Sequence, residues 1–128
     1  KCGIEVIIIM PHIPDKWYAF VLAKTYYEEL ISAGVQIYEY TPGFVHAKVF
    51  VSDDDTATVG TINLDFRSLY LHFECGTFIY NNQVVRDIEK DFQETLKKCQ
   101  KVTVTDLRNR KVGEKVCGRV LRLIAPLM

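Results

Sequence analysis

The sequence predicts an α/β protein in which a mixed β-sheet is flanked by helices. Three observations lead there: a β-branched run joined through a helical stripe to a second strand, two strand-like runs meeting at an acidic turn, and a long amphipathic helix after the last strand.

Gly3 to Met10 (GIEVIIIM) is nearly continuous in apolar character, as a strand buried on both faces requires, and Pro11 and Pro14 end it. From Lys16 to Ala33 the spacing becomes helical, with Trp17, Phe20, Val21, Tyr27, Leu30 and Ile31 on one stripe, Asp15 as the expected cap and Gly34 as the stop. Val35 to Tyr40 alternates as a strand and completes a β-α-β unit with a parallel pair. After the Thr41-Pro42-Gly43 turn, His46 to Ser52 reads as a strand, Asp53-Asp54-Asp55 as a turn, and Thr56 to Ile62 as the returning strand of a hairpin. His72 to Tyr80 is a further strand. Asn82 to Gln100 reads as a helix with Val84, Val85, Ile88, Phe92, Leu96 and Cys99 on one face, and Asp106 to Ile124 as a last one.

A chain of 128 residues builds one compact core rather than two independent ones. Its 16 basic and 16 acidic residues cancel, which argues against a partner such as long nucleic acid that demands a cationic body. The balance conceals an asymmetry. Residues 105–128 hold six basic side chains against two acidic ones, net +4, and residues 1–104 are net −4. The expected organisation is therefore a body over 1–104 and a basic amphipathic helical tail over 105–128. Cys2, Cys75, Cys99 and Cys117 fit neither a zinc knuckle nor a CxxC pair, so reduced thiols are expected. No apolar run approaches the roughly 20 residues that cross a bilayer, and no export signal is read. The start at Lys1, almost directly in a strand, reads as a piece of a longer polypeptide.

Strand alternation puts His46, Lys48, Phe50 and Ser52 on one face. With Asp54-Asp55 taken as a two-residue turn, His46 is expected opposite Asn63 and Lys48 opposite Thr61. Asp53 has the opposite parity, points away from the pair and ties the turn together. An imidazole beside an ammonium and an amide suits phosphoryl chemistry: the ring attacks phosphorus or protonates a leaving oxygen, while the donors neutralise the equatorial oxygens. Such a site calls for no metal and no cofactor. Asp53-Asp54-Asp55 lacks the glycine and distal glutamate of a calcium loop. Ser68 lies in no GxSxG elbow, and Gly60 in no GxGxxG.

The longer string His46-x-Lys48-x4-Asp53-x6-Gly60-Thr61-x-Asn63 resembles the HKD motif of the phospholipase D superfamily. Glu74, eleven residues past Asn63, stands where that superfamily places an acid orienting the motif histidine. PHIPDKW, AGVQIYEYTPGFVHAK and GTINLDFRS followed by FE narrow the resemblance to the C-terminal half of bacterial cardiolipin synthases, over nearly the whole chain.

The resemblance implies a phospholipase D-like half-domain with His46 as nucleophile or general acid, Lys48 and Asn63 as phosphate ligands, and Glu74 fixing the His46 tautomer. Thr61 keeps the hydroxyl of the more usual serine beside the phosphate, and Asp53 and Gly60 are structural motif positions. It implies a phosphatidyl transferase that makes cardiolipin from two phosphatidylglycerol molecules through a phosphohistidine. The partners implied are anionic phospholipid and a second HKD half. That half comes from an absent N-terminal region or from a homodimer mate, because His12 and His72 stand in no HxK context and read as ordinary loop and strand-end histidines. The setting implied is a cytoplasmic domain at a bacterial cell membrane, this segment itself being soluble. Two alternatives share the motif: a homodimeric phosphodiesterase or nuclease using water, and a fragment inactive by itself. Neutral total charge and the apolar, basic tail favour lipid over nucleic acid. The tail rests on an anionic surface or packs its apolar side on the body, and Trp17 is a second candidate for the lipid interface.

Overall fold

A computed structural model describes residues 3–125. The elements in chain order are β1 (Ile7–Pro11), α1 (Trp17–Ser32), β2 (Gln36–Tyr40), β3 (Val49–Ser52), β4 (Thr56–Gly60), α2 (Phe66–Tyr70), β5 (Gly76–Tyr80), α3 (Gln83–Leu96), β6 (Cys99–Lys101), α4 (Val104–Arg108) and α5 (Val112–Ile124). The α/β class stands, with the strands divided between two three-stranded sheets. Contacts separate two units in place of the single core expected, residues 3–45 with 98–125, and residues 46–97. Cys2 and the tail residues 126–128, Leu127 among them, lie outside the described residues.

In the first unit the sheet order is β1-β2-β6, with β1 and β2 parallel and β6 antiparallel to β2. The crossover is α1. Gly34 ends it in a left-handed conformation (φ +96°), with Val35 N–H donating to the Leu30 carbonyl and Gly34 N–H to that of Ile31, both at 3.0 Å. Its start differs from expectation: Lys16, in extended backbone and with no side-chain cap bond, takes the cap position in place of Asp15. Helix α1 is held instead by burial of Tyr27, which joins Ile37 and Leu107 at the centre of a core edged by Met10, Leu30, Ile31, Val35 and Val102. Burial raises the Tyr27 hydroxyl pKa above its ordinary value, with Glu39 adding to the effect. The buried Glu39 carboxylate is compensated by Lys24 Nζ at 3.1 Å and His12 Nδ1 at 2.7 Å, so His12 has a structural partner.

β1 begins at Ile7 and takes in Pro11, and β5 begins at Gly76 rather than His72; two further boundaries move for tertiary reasons. The helix expected to run to Gln100 stops at Leu96, and Cys99–Lys101 becomes β6, pairing Tyr38 with Lys101 and Tyr40 with Cys99. The expected last helix is two. Thr103 and Asp106 form a reciprocal capping box that starts α4, and the chain breaks at 109–111 before α5.

The second unit is the antiparallel meander β3-β4-β5 with α3 against it. Ala57 and Val85 are its buried apolar residues, and Asn82 caps α3 by accepting from Val84 N–H at 3.0 Å.

Candidate active site

All the residues of the HKD-like string and Glu74 lie in the second unit. The hairpin register differs from expectation. Val49 faces Val59, Phe50 faces Thr58 and Ser52 faces Thr56, leaving a three-residue loop, Asp53-Asp54-Asp55. Asp53 (φ 52°) and Asp54 (φ 58°) both adopt left-handed backbone, a conformation aspartate tolerates, which accommodates the third loop residue. Asp53 thus sits in the turn, accepting from Ser52 Oγ at 2.9 Å. The strand begins at Val49, three residues after His46, and Lys48 stands opposite Gly60, whose N–H donates to the Lys48 carbonyl at 3.1 Å. Lys48 is not opposite Thr61, and His46, which precedes the ladder, is not cross-strand partner to Asn63.

Thr61 pairs instead with the chain entering β5. Its N–H donates to the Cys75 carbonyl at 2.9 Å, and Cys75 N–H donates to Thr61 Oγ at 3.0 Å. The same hydroxyl donates to Glu74 Oε2. This bond comes first among the causes that hold the Glu74 carboxyl below its ordinary range; a Ser68 hydrogen bond and the charges of His72 and Lys48 act in the same direction, against desolvation. Lys48 is therefore electrostatically within reach of Glu74, and its ammonium donates to the His46 carbonyl at 2.9 Å. Asn63 Nδ2 donates to Ser68 Oγ at 3.3 Å.

Ser68, Arg67 and His72 are site neighbours that the sequence patterns do not single out. Ser68 is buried in α2, and its N–H is held by the Asp65 cap at 2.7 Å. Its hydroxyl accepts from Asn63 and helps to lower the Glu74 pKa, so one residue bears on two motif positions. Arg67 Nε donates to His72 Nε2 at 2.6 Å, which leaves the proton of a neutral His72 on Nδ1, 3.8 Å from Glu74 Oε1. The signal that could have found them is DFRS, soon after Asn63: an aspartate three residues before a serine marks the cap of a short helix and fixes where that helix points its side chains.

Among the described residues no group of three His, Cys, Asp or Glu side chains is arranged to hold a metal ion. What the cluster offers is fixed hydrogen-bond donors and an ionised acid in the unit that also carries the exposed His46, three residues before β3. Replacing Thr61 by Val is expected to raise the Glu74 pKa toward its ordinary 4.5, because the first cause of the depression is removed. The side-chain carboxyl signal of Glu74 followed by NMR from pH 7 to 2 measures it. In the wild type the carboxylate, and whatever stability its bonds provide, persists below the usual carboxylate range and is lost as pH falls through the depressed pKa.

An α/β fold with this cluster at the open end of a hairpin is a phospholipase D-like domain, and comparison with known proteins bears this out. The chain belongs to the family described as cardiolipin synthase, PLD-like domain, whose model matches residues 1–96. It is 40% identical to a protein of Clostridium perfringens named cardiolipin synthase and 38% identical to one of Bacillus anthracis named cardiolipin synthase 2. A Streptococcus mutans protein named only as an uncharacterized protein is 56% identical. Each match takes in 98% of this chain, and 26%, 24% and 27% of the respective relatives, so the chain spans about a quarter of their length.

Proposed function

We propose that this chain supplies one HKD half of a phosphatidyl transferase that makes cardiolipin from two phosphatidylglycerol molecules. The observation that carries the reading is the convergence of Lys48, Thr61, Asn63 and Glu74, joined by the Thr61 and Ser68 hydroxyls and the charge of Lys48, in a unit that contains His46. In this reading His46 Nε2 attacks the phosphorus of the first phosphatidylglycerol, and a second imidazole protonates the departing glycerol. The hydroxyl of a second phosphatidylglycerol, deprotonated by that second imidazole, then attacks the phosphohistidine, releasing cardiolipin and restoring His46. Lys48 and Asn63 take the phosphate oxygens, with the Thr61 hydroxyl beside them. Glu74 orients the His46 ring, and Ser68 keeps Glu74 and Asn63 in register.

The second imidazole comes from a longer polypeptide or a second copy. One ring cannot be covalently bound to phosphorus and protonate the leaving oxygen in the same step. A proven monomer of these 128 residues that turned over at the full rate would falsify the two-histidine scheme.

Inorganic phosphate is expected to bind in the presence of EDTA, because ammonium and amide donors already provide positive potential. Chemical-shift changes at Lys48 and Asn63 report it, and loss of binding on chelation alone would redirect the reading to a metal-dependent enzyme. Ser68→Ala should weaken phosphate binding about fivefold, the worth of one ordinary hydrogen bond transmitted through Asn63.

A further inference from the structure

We propose that Arg67 is a positioning residue for Glu74 and acts on it through His72. The backbone brings the first two side chains together. Helix α2 ends at Tyr70, and the chain then closes on one carbonyl: Leu71 N–H and His72 N–H donate to the Arg67 oxygen at 3.0 and 2.9 Å. That closure turns residue 72 back beside residue 67, so the guanidinium and the imidazole meet although five positions separate them.

Arg67 Nε donates to His72 Nε2 at 2.6 Å. A neutral imidazole has one N–H and one acceptor lone pair, so the bond occupies the lone pair at Nε2 and fixes the proton at Nδ1. Nδ1 stands 3.8 Å from Glu74 Oε1. That separation is too long for a hydrogen bond, and the effect is one of charge: the positive end of the Nδ1–H dipole faces the carboxylate, where the other tautomer would turn a lone pair toward it. The Glu74 side chain is 14% exposed, so solvent screens this field only in part.

The two oxygens of Glu74 are thus approached from different groups, Oε2 by the Thr61 hydroxyl and Oε1 by the His72 ring. An arginine bonded directly to Glu74 would take both oxygens in a fork and consume the lone pairs a further donor needs. With His72 interposed, the cation sets the direction of the ring dipole and leaves acceptor sites of the carboxylate open. On the reading of Glu74 as the acid that orients His46, on which this inference rests for its consequence in catalysis, those open sites serve the His46 ring.

Long-range proton–nitrogen correlation spectra of the 128-residue chain at about pH 8, above the ordinary imidazole range, report the tautomer directly. The expected result is a proton on His72 Nδ1 in the wild type, loss of that preference in Arg67→Ala, and its return in Arg67→Lys, which keeps a cationic donor. The side-chain carboxyl carbon signal of Glu74 should move in Arg67→Ala, yet Arg67→Ala should not move it once His72→Ala is in place, the mark of action through the ring. Residues 67 and 72 are exposed, and the bonds that close α2 use backbone atoms alone, so these variants leave the fold intact. In an assembly that holds both imidazoles, Arg67→Ala should lower kcat about fivefold at unchanged KM, the worth of one ordinary hydrogen bond. The proposal is overturned by a proton on Nε2 in the wild type, by a tautomer indifferent to Arg67, or by an equal displacement of the Glu74 signal with and without His72. The expected spectra together with undiminished transfer would leave the coupling of Arg67 to Glu74 standing and overturn instead the orienting role given to Glu74.

Discussion

Replacing His46 by Ala in an assembly that holds both imidazoles is expected to reduce phosphatidyl transfer by at least about 10³-fold, since in the proposed scheme the ring is both nucleophile and the site of the covalent intermediate. The residue is exposed and precedes β3, so the meander should survive the change. Lys48→Ala is expected to act differently. Its ammonium braces the His46 carbonyl and contributes positive potential at Glu74, so its loss should weaken phosphate binding as well as slow the chemistry. On the proposed scheme the two effects should not add in the double variant, because without the nucleophile there is no developing charge for Lys48 to stabilise. Single-turnover transfer from phosphatidylglycerol labelled at phosphorus, with a denaturing quench at neutral to alkaline pH to preserve protein-bound phosphate, separates them: no label on His46→Ala, reduced label on Lys48→Ala. Undiminished labelling of His46→Ala would place the nucleophile elsewhere.

The second large effect falls on Gly60. Its partner across the β4–β5 ladder is Gly76, and a Cβ added to Gly60 would lie 2.3 Å from the Cys75 carbonyl oxygen and 2.6 Å from Gly76 Cα. Both are backbone atoms, so relief requires the strands to part where Thr61 and Cys75 exchange their hydrogen bonds. Gly60→Ala is expected to destabilise the second unit by about 1–3 kcal/mol, the range for overpacking a closed site. It should also free Glu74 from Thr61, returning its pKa toward the ordinary value. Urea denaturation followed by circular dichroism, with the NMR titration of Glu74, measures both. Gly113→Ala is the contrast: nothing lies within 4 Å of the added methyl group in α5, and a neutral or stabilising change of up to about 1 kcal/mol is expected. A Gly60→Ala protein as stable as the wild type would remove the steric account of that motif glycine.

Hydrophobic periodicity alone determined β1, α1, β2 and α3, because each element's apolar spacing differs from that of its neighbours and Gly34 marks a stop that few other residues can make. The motif string selected His46, Lys48, Thr61 and Asn63 before any geometry was known, since four spacings had to agree together, and the resemblance it carries added Glu74. Tertiary structure decided the rest. The hairpin register turned on whether the acidic loop holds two residues or three, and that depends on left-handed backbone at Asp53 and Asp54, which aspartate permits without requiring. Strand β6 exists because the open edge of β2 takes a partner, overriding the helical pattern beyond Leu96. Ser68 acquired its place through a five-residue helix too short to leave a periodic signal. Along α5 the sequence set out an apolar stripe and a basic one, but a helical pattern only distinguishes faces. Which face turned inward was settled by Gly118, where the missing side chain lets α5 approach α1 more closely than any apolar residue of the stripe would allow.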